Sequence, residues 1–467
     1  MFRNILTRSL LTLLACVSSA SAAGWKVGVA KLDITPKTPG WMSGYAARTG
    51  PATGAAHPLW AKAVALEDAA GNKSVLVTID LVGIARDVEV PAAEAITKKT
   101  GIPRSGIAFA CSHTHCGPVV GQNLLTMYDL SETEMAKTLA YTATLTLELA
   151  EVASKAVADL KPATLHSGIG RTSFAVNRRE NLADKVVELR KGLSLKGPVD
   201  HDVPVLVAKD DSGKVFAIVT QYACHCTTLD YDKYSGDYAG YAQIALEKQY
   251  PGAVALFAAG CGADANPLPR RSEELAVQYG NRLAHATSVV VDHGLSPLEG
   301  DRLAHAFEEI PLKHAKVPTK AELEAESKDK NKYIAGRAKM LLARLGGQYK
   351  GSPLFPNVGP DGNLTATYPY PVQVWSLGKD IDWVFLGGEV VADYSLRLKR
   401  SNGSGRTWVT AYANDVMAYI PSLRVLKEGG YEGATSMIYY GLPSPWSESV
   451  EEDIIAAVVR LIGEVRK

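Results

Sequence analysis

Gly106-Ile-Ala-Phe-Ala-Cys111-Ser-His-Thr-His-Cys-Gly-Pro118 is the stretch on which the reading of this chain turns. Its first half is an apolar run of strand length, and its second half carries His113 and His115 before a Gly-Pro turn. On an extended backbone alternate side chains share a side, so both imidazoles face one way at the end of a buried strand. Such a pair is either the start of a metal site or a hydrogen-bonded core pair. Ligands from elsewhere in the chain decide between the two.

Working outward, five more apolar runs end in polar or small residues. Ser74 to Ile79 ends in Asp80, and Val215 to Ala223 ends in Cys-His-Cys-Thr-Thr with His225 central. Val254 to Ala259 ends in Gly-Cys-Gly-Ala-Asp-Ala-Asn-Pro, Ile381 to Leu386 in Gly-Gly-Glu389, and Thr407 to Ala413 in Asn414-Asp415. In α/β sheets the C-terminal edge of the strands is where ligands bind. Imidazoles with one carboxylate suit zinc, which lowers the pKa of a bound water and polarises a carbonyl. Hydrolysis of an amide or ester follows from that chemistry more naturally than redox work. Dinucleotide fingerprint, P-loop, Gly-x-Ser-x-Gly elbow and His-Glu-x-x-His signature are all missing.

The spacing predicts strands at Trp25–Thr35, Leu59–Asp68, Ser74–Leu81, Thr164–Arg171, Val205–Ala208, Val215–Tyr222, Val254–Ala258, Val372–Leu377, Ile381–Leu386 and Thr407–Ala411. Helices are expected at Pro91–Lys99, with Pro91 in the first turn, and at Glu132–Leu160, Tyr238–Gln249, Glu273–Val290 and Val450–Arg466. Lys313 to Gly347 reads as a solvated helical excursion, and Pro353 to Tyr370 as a loop that forms a lid or rim. The fold class is α/β, a mixed β-sheet core flanked by helices with a metal site at the C-terminal ends of strands. Residues 23–467 are expected to form one domain.

The chain has 467 residues, 46% hydrophobic and 21% charged, with net charge +1, which gives no support for nucleic-acid binding. Residues 1–22 read as a signal peptide: two arginines, a short apolar core and an Ala20-Ser-Ala22 cleavage site. The expected location is secreted or periplasmic, with the weak lipoprotein box Leu13-Leu-Ala-Cys16 as the lesser alternative. No later run is long enough for a transmembrane segment. Cys111, Cys116, Cys224, Cys226 and Cys261 sit beside the strand-end motifs. They are expected to be small buried residues, with one local disulfide or thiolate ligation as the alternatives.

These motifs resemble, in order, those of the neutral/alkaline (non-lysosomal) ceramidases. The pieces are Gly28-Val-Ala-Lys-Leu-Asp-Ile-Thr-Pro36, Ser112-His-Thr-His-Cys-Gly-Pro118, Ala223-Cys-His-Cys-Thr-Thr228 and Asp237-Tyr-Ala-Gly-Tyr241. Then come Gly262-Ala-Asp-Ala-Asn-Pro267, Gly388-Glu389, Ala418-Tyr-Ile420 and Tyr431-Glu-Gly-Ala-Thr-Ser436. The resemblance implies one zinc ion held by His113, His225, Glu389 and Tyr419. It places His115 beside the metal, to move a proton or hold the oxyanion. Asp264 and Asn266 would line the site, with Asp80 and Asp237 orienting ligands. Arg178 either binds a polar group of the substrate or is a surface or structural arginine.

The chain departs from the family pattern in three ways. Asn266 stands where the family carries a serine regarded as catalytic, and an amide is no nucleophile, although it can donate to an oxyanion. The family's C-terminal immunoglobulin-like domain is not expected after the terminal helix. Gly387 replaces a proline, and Cys116 and Cys226 replace other residue types. The expected function is a zinc hydrolase cleaving an N-acyl amide, with a small-molecule or lipid amide as partner. The alternatives are a zinc amidase or esterase with a non-ceramide substrate and a non-catalytic metal-containing binding protein.

Overall fold

The computed structural model describes residues 24–345, 347 and 351–467. The expected signal peptide lies outside the described residues. The longer strands are β1 (Trp25–Asp33), β2 (Trp60–Glu67), β3 (Lys73–Ile79), β4 (Ile107–Cys111), β5 (Lys161–Arg171), β6 (Asp202–Lys209), β7 (Val215–Tyr222), β8 (Val254–Ala259), β9 (Leu303–Lys313), β10 (Thr367–Leu377), β11 (Ile381–Leu386) and β12 (Thr407–Thr410). The longer helices are α1 (Arg86–Thr100), α2 (Glu132–Ala158), α3 (Asp237–Gln249), α4 (Glu273–Val289), α5 (Lys320–Glu326), α6 (Lys332–Arg344), α7 (Ala392–Asn402) and α8 (Val450–Val465).

Two mixed sheets result. The first runs β8-β7-β6-β5-β1-β2-β3-β4, and the second runs β9-β10-β11-β12. Most neighbours are antiparallel. The parallel pairs among these strands are β3–β4, β7–β8 and β11–β12. Each is joined through a helix (α1, α3 and α7), because parallel neighbours need a crossover. Five antiparallel steps separate β7–β8 from β3–β4, so these pairs run oppositely along the sheet order, and the strand-end motifs are joined instead by isolated bridges: Thr114 to Cys226, Ala110 to Ala413 and Gly260 to Thr410.

Alternation along the strands sorts their side chains. Val64, Leu76, Ala108, Val219 and Leu256 of the first sheet meet Trp375, Trp383, Phe385 and Trp408 of the second in one buried cluster. Ala63, Val77 and Phe109 face the other way, in a cluster with Leu145, Leu149 and Val152 of α2. Between the sheets, Trp383 and Trp408 pack edge to face at 5.5 Å, and the Trp383 indole donates to Thr410 Oγ1 at 2.8 Å. On the far face of the second sheet, α8 packs against β9 and β10.

Four expectations need correction. Helix α1 starts at Arg86, so Pro91 lies inside it and not in its first turn. Burial of Val88, Ala92, Ala93 and Ile96 holds the longer helix despite the missing proline N–H. Strand β9 was not foreseen, and Lys313 ends it and does not open the helical excursion. That excursion forms α5 and α6, which bury Leu323, Ala338 and Leu341 in a small core of their own. The loop from Pro353 stops at Ala366, because β10 begins at Thr367.

The segment after β12 ties the sheets together. Ala411 N–H donates to Ala259 O at 2.9 Å, Cys111 N–H to Tyr412 O at 3.1 Å, and Asn414 N–H to Phe109 O at 2.9 Å. Asp415 follows, buried, and accepts a hydrogen bond from the Tyr368 hydroxyl at 2.7 Å. Burial pushes its carboxyl up to about 7, with the Arg86 charge opposing. An unfolded aspartate titrates near ~3.9. The folded state thus holds an extra proton between those values. Its contribution to stability is complete at low pH and is lost as pH rises through about 7. Asp415→Asn is expected to flatten that part of the pH dependence, read as the melting temperature of chelator-treated protein between about pH 5 and about pH 7.

Candidate metal centre and active site

His113 leaves β4 in the left-handed region, with φ 60°, an unusual conformation for a residue with a side chain. Its N–H is held by Leu81 O at 2.9 Å. Its Nδ1 lies 2.6 Å from Val82 O, and Nδ1 of His225 lies 2.8 Å from Gly262 O. A carbonyl only accepts, so each Nδ1 carries the proton and each Nε2 keeps a free lone pair. Gly262 has to be glycine here, since a Cβ would come within 2.4 Å of Cys224 N.

Glu389 reaches the same point from β11. Its Oε2 lies 3.1 Å from His113 Nε2 and 3.2 Å from His225 Nε2. That oxygen is buried and has no hydrogen-bond partner among the described residues, whereas Oε1 accepts from the Tyr440 hydroxyl. Gly388 supplies the turn with φ 72°, where a Cβ would meet Ala418 O at 2.6 Å. A short parallel bridge then sets Glu389 beside Tyr419. The Tyr419 hydroxyl lies 3.3 Å from His225 Nε2 and accepts from Arg178 Nη2 at 3.0 Å.

His115 adds a third imidazole. Its Nε2 lies 3.1 Å from His113 Nε2, and its buried Nδ1 is without a hydrogen-bond partner among the described residues. Ligand atoms of His113, His115 and His225 all fall within 4.8 Å of one another. Burial, then the neighbouring histidines, holds His115 well below the usual imidazole range. Burial, then Arg178, lowers His225 to about 4. Burial works against an ionised Glu389, and only protonated His113 and His225 rings would outweigh it and hold the carboxyl well below its usual range. Two imidazole lone pairs and a carboxylate oxygen crowded together repel unless a cation sits among them. The donor set fits a divalent metal of the zinc type.

The remaining expected residues divide. Asn266 Oδ1 accepts from Arg178 Nη1 and Thr227 Oγ1, both at 3.3 Å. This fixes the amide's orientation and leaves Nδ2 free for a ligand. Arg178 also donates to Glu432 Oε1 at 2.7 Å, so it joins Tyr419, Asn266 and Glu432 in one network. Asp264 faces other groups: Asn177 Nδ2 at 3.0 Å and the Ala392 N–H at 2.9 Å, where α7 begins. Burial raises its carboxyl to about 6. Asp80 accepts from Trp60 N–H at 3.0 Å and Asp237 from Leu229 N–H at 2.8 Å, so both carboxylates hold backbone. Backbone carbonyls do the ligand-orienting work expected of them.

Sequence reasoning passed over Tyr412, whose ring stacks on His113 with centroids 4.3 Å apart, and Tyr440. It quoted Glu432 within a motif without giving it a role. All five cysteines are buried and free, so no disulfide forms among the described residues. Burial pushes the Cys111 thiol up to about 12, which suits packing and not ligation.

A cleft of about 620 Å³ opens beside this centre, lined by Arg178, Asn266, Leu268, Arg270 and Tyr431 among others. A groove of about 720 Å³ between β5 and α4 contains none of the site residues.

Fold and donors together define an α/β protein with a histidine-rich potential metal centre at its strand ends. The chain belongs to the neutral/alkaline non-lysosomal ceramidase family, whose N-terminal family model matches residues 25–267. That stretch contains His113, His115, His225 and Asn266, and ends before Glu389 and Tyr419. Neutral ceramidases B and A of Dictyostelium discoideum are each 26% identical, over 243 and 242 residues. Each alignment spans 50% of this chain and 33% of the relative. The fold matches the crystal structure of neutral ceramidase from Pseudomonas aeruginosa with a TM-score of 0.69 at 21% identity, covering 94% of this chain and 74% of that one. A structure described as ceramidase complexed with C2 matches with a TM-score of 0.70 at 19% identity, covering 95% and 75%.

Proposed function

We propose that this protein is an exported zinc-dependent hydrolase that cleaves the amide bond of an N-acyl compound. The observation that carries this is the convergence of His113 Nε2, His225 Nε2 and the unpartnered Glu389 Oε2, linked through Tyr419 and Arg178 to a cleft that Arg178 and Asn266 line. His113, His225, Glu389 and Tyr419 would hold the metal. Bound there, zinc activates a water molecule and polarises the substrate carbonyl.

The chain's own groups supply the rest. His115 lies beside His113, and its Nδ1 has no hydrogen-bond partner among the described residues, so it is the group assigned to take a proton and pass it to the departing amine. Asn266 Nδ2 donates to the carbonyl oxygen as negative charge builds there. Arg178 holds both Asn266 and the Tyr419 hydroxyl, and Glu432 holds Arg178. Tyr412 stacks on His113, and the Tyr440 hydroxyl donates to Glu389 Oε1.

The purified protein is expected to carry about one zinc per chain, since the site offers one set of converging donors. Treatment with 1,10-phenanthroline should abolish hydrolysis across a panel of N-acyl amides that includes ceramide, and added zinc should restore it. Metal-free protein with full turnover would refute the reading. A related reading, an amidase or esterase of this family acting on something other than ceramide, is favoured by Asn266 and by the charged cleft wall. Binding of one amide without turnover of any would mark a binding protein instead.

Among the described residues no helix is long and apolar enough to cross a membrane. N-terminal sequencing of protein exported from a bacterial host tests cleavage after Ala22.

A further inference from the structure

We propose that the substrate bears a carboxylate and that Arg270 is its anchor. This deepens the hydrolase reading and rests on it. The cleft wall presents three arginines, Arg178, Arg179 and Arg270. Two are matched: Arg178 pairs with Glu432 at 2.7 Å, and Arg179 pairs with Glu432 at 2.7 Å and Glu428 at 2.9 Å. Arg270 makes no ion pair among the described residues. Its hydrogen bond is a long one, from Nη1 to Thr227 O at 3.5 Å. Asp230, a carboxylate close enough to influence it, is held by Arg271 at 2.7 Å. Glu180 also borders the cleft, but its side chain is exposed.

A guanidinium cannot shed its proton, so half-burying one without a counter-ion costs free energy that an anionic ligand recovers. Burial, and the positive charges of Arg271 and Arg178, act on Arg270 in that sense. The position is also close to the chemistry. Thr227, whose carbonyl Arg270 touches, donates its hydroxyl to Asn266 Oδ1 at 3.3 Å. A carboxylate on Arg270 therefore lies only a short span from the group assigned to the scissile carbonyl. An N-acyl amino acid carries its carboxylate one carbon away from the amide nitrogen, the compact arrangement that this placement calls for. An amide with an uncharged amine half leaves the arginine unmatched.

The test compares N-acetyl-, N-octanoyl- and N-lauroylglycine with the corresponding glycinamides. Wild-type protein should favour the carboxylates in kcat/KM by about 10- to 100-fold, mainly through KM, as a charge-assisted bidentate pair warrants. In Arg270→Gln that ratio should fall towards one, and Arg270→Lys should restore part of it. A wild-type ratio near one, or an unchanged ratio in Arg270→Gln, overturns the proposal. If no amide is hydrolysed, the hydrolase reading fails by itself. Calorimetric binding of the same pairs still reads the anchor: about tenfold weaker carboxylate binding in Arg270→Gln supports it. Equal binding by the two proteins, or none by wild type, overturns it.

Discussion

Glu389→Ala is expected to leave the purified protein without zinc and to lower kcat/KM by at least about 10³-fold, the several kcal/mol that a Lewis acid supplies. His113→Ala should do the same. Both side chains are almost wholly enclosed; Glu389 Oε2 has no hydrogen-bond partner among the described residues, and His113 Nε2 lies 3.1 Å from it and from His115 Nε2. Removing Glu389 also strips the Tyr440 hydroxyl of its acceptor. Glu389→Gln keeps that volume and one oxygen, so it separates lost charge from lost packing. His115→Ala is the informative contrast. His115 touches His113 but is assigned proton transfer, so the variant should keep its zinc and lose about 10²- to 10⁴-fold in turnover. Metal analysis beside an amide-hydrolysis assay measures both. Full zinc and full activity in His113→Ala and Glu389→Ala would end the assignment. Zinc lost from His115→Ala as well would move that residue into the ligand set.

The sequence made the centre legible for a physical reason. A buried parallel strand must be apolar on both faces, so the first polar residues after it are conspicuous. His113, His225 and Glu389 all follow strands that belong to parallel pairs. What escaped was whatever that contrast does not mark. Strand β9 runs along the edge of the second sheet and carries Glu308, Glu309 and Pro311. Edge strands tolerate proline and outward charge, so the alternation was diluted. Tyr412 comes from an irregular segment and Tyr440 ends the four-residue helix Met437–Tyr440, and pieces so short carry no pattern that says an aromatic will meet a histidine or a carboxylate. The orientation of the ligands was equally hidden. Carboxylates at Asp80 and Asp237 were the visible candidates, yet Val82 and Gly262 hold the imidazoles through carbonyls, which every residue possesses.

Asn266→Ala is expected to lower kcat by about 10²- to 10³-fold, the usual cost of one oxyanion donor, while leaving zinc content unchanged. Asn266 is 5% exposed, and its Oδ1 is held by Arg178 and Thr227. The amide nitrogen therefore has one direction left in which to work. Asn266→Ser decides what the position does. A serine hydroxyl is shorter and has one proton. Held by the same two donors as an acceptor, it could give that proton only from a place nearer the backbone. If Asn266 acts as a donor, the serine variant should recover little of the activity lost in the alanine variant, and its amine product should appear without a burst. If the position exists for a nucleophile that this chain has lost, Asn266→Ser should exceed the wild type and release amine in a burst as an acyl-enzyme accumulates. The donor reading is favoured because Arg178 and Thr227 both point hydrogens at Asn266. A serine oxygen receiving two such bonds would have its lone pairs occupied, which is poor preparation for attack on a carbonyl.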